Sequence, residues 1–77
     1  MNATEEKKFV LRSYGKGELA SLYMPHIQPK SALAMFNEWI DKFPGLTEAL
    51  QQAGLCAKAR RYTPAQVRII VGALGEP

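Results

Sequence analysis

The chain is poor in the residues that build metal centres and covalent catalysis. Its 77 residues include one cysteine, Cys56, and one histidine, His26. A lone cysteine forms no internal disulfide, which fits a reducing compartment. A structural zinc site draws on about four Cys/His ligands at short spacings, so no metal site is expected. Cys56 and His26 are the only residues from which a Cys–His nucleophile pair could be made. The plainer expectation is a histidine in a turn and a small, buried or half-buried cysteine. No enzyme activity and no cofactor are expected.

Long hydrophobic runs are missing as well. A membrane-spanning helix needs about 18 or more consecutive apolar residues, and the chain has no such run. The opening "MNATEEKKFV" is polar and charged where a signal peptide carries its apolar stretch. With the single cysteine, this gives the expectation of a cytoplasmic location and no membrane partner. A P-loop is also absent, because "GKG" at Gly15–Gly17 is not G-x-x-x-x-G-K-[ST]. A lysine at a glycine-rich helix start can still seat an anion. The plainer reading is that the glycines let the chain turn into the helix.

Acidic residues run short at one end only. Residues 1–48 carry as many acids as bases, so the whole net charge of +3 falls in residues 49–77, where Lys58, Arg60, Arg61 and Arg68 face Glu76 alone. Such a patch attracts phosphates or an acidic partner, or simply stays solvated.

What the chain does have is apolar content, 47% of its residues. That suits one folded domain with a modest core. Net stability for this size is on the order of 3–5 kcal/mol. Residues 1–8 are expected to be a flexible N-terminus and residues 9–77 a single helical domain. "FVLRSY" is expected to be a short extended segment laid against the helices, too short to argue for a sheet by itself.

The first helix is expected over about Gly15–Tyr23, capped by Gly15 or Ser13, with Leu19, Leu22 and Tyr23 on one face and Pro25 ending it. The second, Pro29–Lys42, starts on a proline suited to the first helical position. Leu33, Phe36, Ile40 and Phe43 recur at three- and four-residue steps, with Ala32 and Trp39 beside them on the inward face. Pro44-Gly45 follows, then a third helix, Leu46–Ala53, ended by Gly54. "YTPAQV" predicts the start of a fourth: Thr63 and Gln66 form a capping box, Pro64 takes the first position, and Tyr62 and Val67 make the staple. Val67, Ile70, Val71 and Leu74 turn inward, and Gly75 ends the helix. The expected fold class is all-α: a compact, helix-turn-helix-like bundle of about four short helices with a short extended N-terminal segment.

Two binding surfaces compete. In a helix-turn-helix the second helix enters the major groove. Here its outer face carries Ser31, Ala34, Asn37, Glu38 and Asp41, two acids and no base. Asn37 is the best reader of a base edge, and Lys58, Arg60, Arg61 and Arg68, with Lys16 and Lys30, are the candidate phosphate contacts. Sequence does not say whether these cations share a side with the second helix. The alternative is a protein-interaction surface, for a homodimer or another partner, on the small apolar back of the fourth helix: Ala65, Ile69, Gly72 and Ala73. The expected partners are thus DNA, another protein or a second copy of the chain.

The segments "LRSYGKGELASLYMP" (Leu11–Pro25), Trp39-Ile40, "YTPAQVRIIV" (Tyr62–Val71) and "LGEP" (Leu74–Pro77) together resemble a family of small gut Bacteroidetes proteins whose domain has no assigned function. The resemblance runs over nearly the whole chain from about Phe9. It implies no activity and no catalytic residues. A looser similarity, to excisionase-like and MerR-like helix-turn-helix domains, rests on the turn "MPHIQPK", longer than the usual three or four residues. Fold analogy of that kind does not establish function.

Overall fold

A computed structural model describes residues 9–77. The flexible N-terminus expected at residues 1–8 lies outside the described residues. The elements run β1 (Tyr14–Gly15), α1 (Lys16–Tyr23), α2 (Pro29–Lys42), α3 (Leu46–Gln52), β2 (Arg61–Tyr62) and α4 (Pro64–Leu74). Four helices carry the fold, so the domain is all-α with a minimal antiparallel bridge between β1 and β2.

The expected start and end of α2 and α4 hold. Pro29 opens α2, and α4 begins as its capping box requires. The Gln66 backbone N–H donates to Thr63 Oγ1 at 3.2 Å, and the Thr63 N–H donates to Gln66 Oε1 at 2.9 Å. Gln66 does more than close the box. Its Nε2 donates to the Ala53 carbonyl at 3.0 Å, so one buried side chain ties the start of α4 to the end of α3. The turns that follow α2 and α3 both pass through left-handed backbone, at Gly45 (φ 79°) and Gly54 (φ 96°), where a β-carbon would be strained.

One core joins all the elements. Leu19 and Ala20 of α1 pack with Ala32, Phe36 and Ile40 of α2, Leu46 and Leu50 of α3, and Val67 and Ile70 of α4. Phe36 is fully buried, with the Tyr23 ring 5.1 Å away. At the end of α1, the Tyr23 hydroxyl donates to the Gly75 carbonyl just beyond α4.

The structure corrects the expected inward face of α2 at its edge. Trp39 is 43% exposed and Phe43 38% exposed, and Leu22 of α1 is also exposed. An α-helix turns 100° per residue, so Trp39 lies 60° from Phe36, at the rim of the buried stripe. Among the described residues α1 and α3 pack against α2, and none of them covers that rim.

The extended N-terminal segment is present, and part of it is paired. Tyr14 lies opposite Tyr62 and Gly15 opposite Arg61 in an antiparallel register. Strand alternation buries the two tyrosines and turns Arg61 outward. Phe9 stacks on Tyr14 at 5.4 Å, and the Tyr14 hydroxyl donates to the Val10 carbonyl at 2.8 Å.

Candidate functional site

The bridge decides which cations come together. Lys16 starts α1 directly after β1, and its backbone N–H donates to the Arg60 carbonyl at 3.0 Å. Arg61 Nε donates to Ser13 Oγ at 3.2 Å across the bridge. Arg12 sits over the Tyr14 ring at 3.8 Å and pairs with Glu18 at 3.0 Å. Lys58 stands two residues before Arg60, in an exposed turn closed by the Ala59 N–H on the Cys56 carbonyl. The bridge therefore brings the start of α1 at Lys16 beside Arg60 and Arg61, with Lys58 two residues before them, although about 45 residues separate Lys16 from Arg61 in sequence. None of these four forms an ion pair among the described residues.

Glu18 offsets part of that charge. Its carboxylate accepts from the Arg12 guanidinium and, at 3.1 Å, from the Gly15 N–H. Both contacts hold its pKa below the ordinary carboxylate value, the Arg12 bond most strongly, and Arg12 is raised in turn. The anion seat that "GKG" suggested is thus occupied by the chain's own side chain. Neither Gly15 nor Gly17 has a positive φ, so the turn into α1 does not depend on glycine either.

Beside this edge opens a cleft of about 340 Å³ between α2, α3 and the segment that leads to β2. It is lined by Lys16 of α1, Asn37, Ile40 and Asp41 of α2, Thr47, Leu50 and Gln51 of α3, and Leu55, Cys56, Ala57 and Tyr62 beyond α3. Thr47 Oγ1 lies 3.4 Å from the Asp41 carboxylate. The Lys16 ammonium stands 5.7 Å from the centre of the Tyr62 ring. Burial pushes the Tyr62 phenol up to about 12.

Two residues from the sequence analysis, Lys16 and Asn37, thus share one opening. Its wall runs through Ala57 and Tyr62, the sequence neighbours of Lys58 and Arg61. Lys30 lies apart on α2, seven residues before Asn37, about 10 Å along nearly the same face. Arg68 is exposed on α4 and does not line the cleft. The outer face of α2 is as expected, with Ser31, Ala34, Asn37, Glu38 and Asp41 all exposed. His26 is an exposed turn residue, while Cys56 is exposed on the cleft wall rather than buried. Thr47, Gln51 and the Arg12–Glu18 pair were not singled out from sequence, and Asp41 was read only as part of the acidic outer face of α2. They join the site through packing and carry no local motif.

On α4, Ala65 and Gly72 are exposed while Ile69 and Ala73 are half-buried against the core. The exposed large apolar side chains among the described residues are Val10, Leu11, Leu22, Met35, Trp39 and Phe43, none of them on α4. No helix among these residues is long and apolar enough to cross a membrane.

No curated protein and no solved structure gives a significant match to the chain. A family model does match, over residues 10–77 and so over every helix and both strands. The chain belongs to the family described as "Domain of unknown function (DUF4248)".

Proposed function

We propose that the domain is a small nucleic-acid-binding module. Lys16, Lys58, Arg60 and Arg61 contact phosphates along the β1–β2 edge, and Asn37 reads a base edge from the adjoining cleft. The observation that carries this reading is that Lys16 and Asn37 line one opening, next to the segment that holds the other three cations. It bears on the charge difficulty of α2. The acidic outer face, Glu38 and Asp41, need not supply the phosphate contacts, because the neighbouring edge does. Arg68 and Lys30 then play at most a long-range part in steering.

Fluorescence anisotropy with a random-sequence DNA duplex across a salt series tests the reading. Wild type should bind with an affinity that falls steeply as salt rises. Replacing Arg60 and Arg61 by Ala should weaken binding to all sequences alike and lower the slope of log K against log salt by about 2. Asn37→Ala should leave that slope unchanged while reducing discrimination between sequences. Absence of binding at low salt refutes the proposal, and binding indifferent to the double substitution removes the edge from it.

A further inference from the structure

We propose that the α1–α2 flank opposite the cleft is a homodimer surface, and that a second copy docks its α2 antiparallel against it. Met35, Trp39 and Phe43 follow one another at four-residue steps, and each is about two-fifths exposed. Steps of four advance only 40° around a helix, so the three form a line about 12 Å long. Leu22 of α1 is exposed to a similar degree. Tyr23, beside it in sequence, meets the Trp39 ring edge-on at 6.4 Å, which fixes the tryptophan in place. This line lies on the side of α2 away from Asn37 and Asp41, so it is independent of the proposed nucleic-acid surface.

A second copy is the occupant that the pattern fits. An isologous contact must be self-complementary about its two-fold axis. An axis through Trp39 sets Met35 against Phe43 of the second copy, and the reverse, so the apolar line meets itself in register. The solvent-side border of the line carries Glu38 and Lys42, one charge of each sign. In the same antiparallel arrangement Glu38 comes within about 3 Å, along the axis, of the level of the second copy's Lys42, and symmetry repeats the pair. Within one chain the two are only loosely paired, 3.8 Å apart, with side chains 65% and 76% exposed. A border of mixed charge favours neither an anionic membrane nor a strongly charged partner. Four apolar side chains, each only about two-fifths exposed, fall well short of the roughly 800 Å² per partner of a standard interface. The dimer is therefore one that dissociates on dilution.

Sedimentation equilibrium on the full chain, from micromolar to millimolar protein at low salt, tests this. Wild type should follow a monomer–dimer equilibrium, and Trp39→Lys should be monomeric. Glu38→Lys and Lys42→Glu each place like charges across the axis and should weaken self-association about tenfold. Mixed one to one, the two variants should form a heterodimer stronger than either homodimer, with a preference that fades as salt rises. These well-exposed positions keep the test decisive even if Trp39→Lys fails to fold. A wild type that stays monomeric at millimolar concentration overturns the proposal. So does a dimer that ignores the charge reversals but is lost in Ile69→Glu, which would move the contact to α4.

Discussion

Gln66 is the side chain whose removal should cost most relative to its polarity. It is 2% exposed and holds two partly buried backbone groups: the Thr63 N–H at 2.9 Å and the Ala53 carbonyl at 3.0 Å. Gln66→Ala leaves both without a protein partner at a partly buried junction. Each orphaned group costs about 1–3 kcal/mol, so the substitution should cost about 2–4 kcal/mol once partial hydration is allowed for. For a domain of this size that lowers Tm by roughly 10–25 °C, and it approaches the whole stability of about 3–5 kcal/mol. Thr63→Ala removes only the Oγ1 acceptor and should cost about 1 kcal/mol. The double variant should fall short of the sum, because the two side chains serve one network. Gln66→Glu is the sharper probe. It keeps an acceptor for Thr63 but points a carboxylate oxygen at the Ala53 carbonyl, so its stability should recover as acid protonates it. Urea unfolding followed by circular dichroism measures each value. A Gln66→Ala cost no greater than that of Thr63→Ala would refute the claim that this side chain joins α3 to α4.

Phe36→Ala empties the fully buried centre of the core and should cost about 3–5 kcal/mol, enough to unfold much of the protein at room temperature in a thermal melt. The phenols of Tyr23 and Tyr62 are both pushed up to about 12 by burial, with Glu76 adding to the effect at Tyr23. Their folded pKa values lie above the ordinary 10, so stability should hold below pH 10 and fall between pH 10 and about 12, and Tyr62→Phe should blunt that fall in pH-dependent urea titrations. Glu18 has the opposite sign: its lowered pKa makes its contribution present at neutral pH and lost as acid protonates it, so Glu18→Gln should flatten the acid limb of the same titration. Gly72 lies in the last turn of α4 without a positive φ and with open space where a β-carbon would go. Gly72→Ala should therefore stabilise the domain by about 0.5–1 kcal/mol, read as a higher Tm.

The parts of the fold legible in sequence were those written locally. Pro29 at the first position of α2 and the Thr63–Gln66 box of α4 each act within one helical turn, and the structure places both helices where those signals put them. The β1–β2 bridge was not legible. It is two residues long on each side and joins Tyr14 to Tyr62, so no alternation could develop to announce it. The exposure of Trp39 was hidden for another reason. Periodicity identifies a broad apolar stripe but not which part of it the other elements cover, and among the described residues the rim stays bare. For the candidate site, sequence supplied the cations and Asn37 but not their company. Lys16 reaches the same opening as Asn37 only because the bridge carries the start of α1 to the segment before α4.

That bridge also bears on when the basic edge comes into existence during folding. Contacts between α1 and α2 span a short stretch of chain and form early, because little loop entropy opposes them. Pairing Tyr14 with Tyr62 closes a loop that contains three of the four helices. The edge formed by Lys16, Arg60 and Arg61 is therefore expected among the later features to assemble, and it is missing from any chain in which that loop is still open. Its cations meet only once that loop has closed around α1, α2 and α3, so the surface reports that the two ends of the loop have come together.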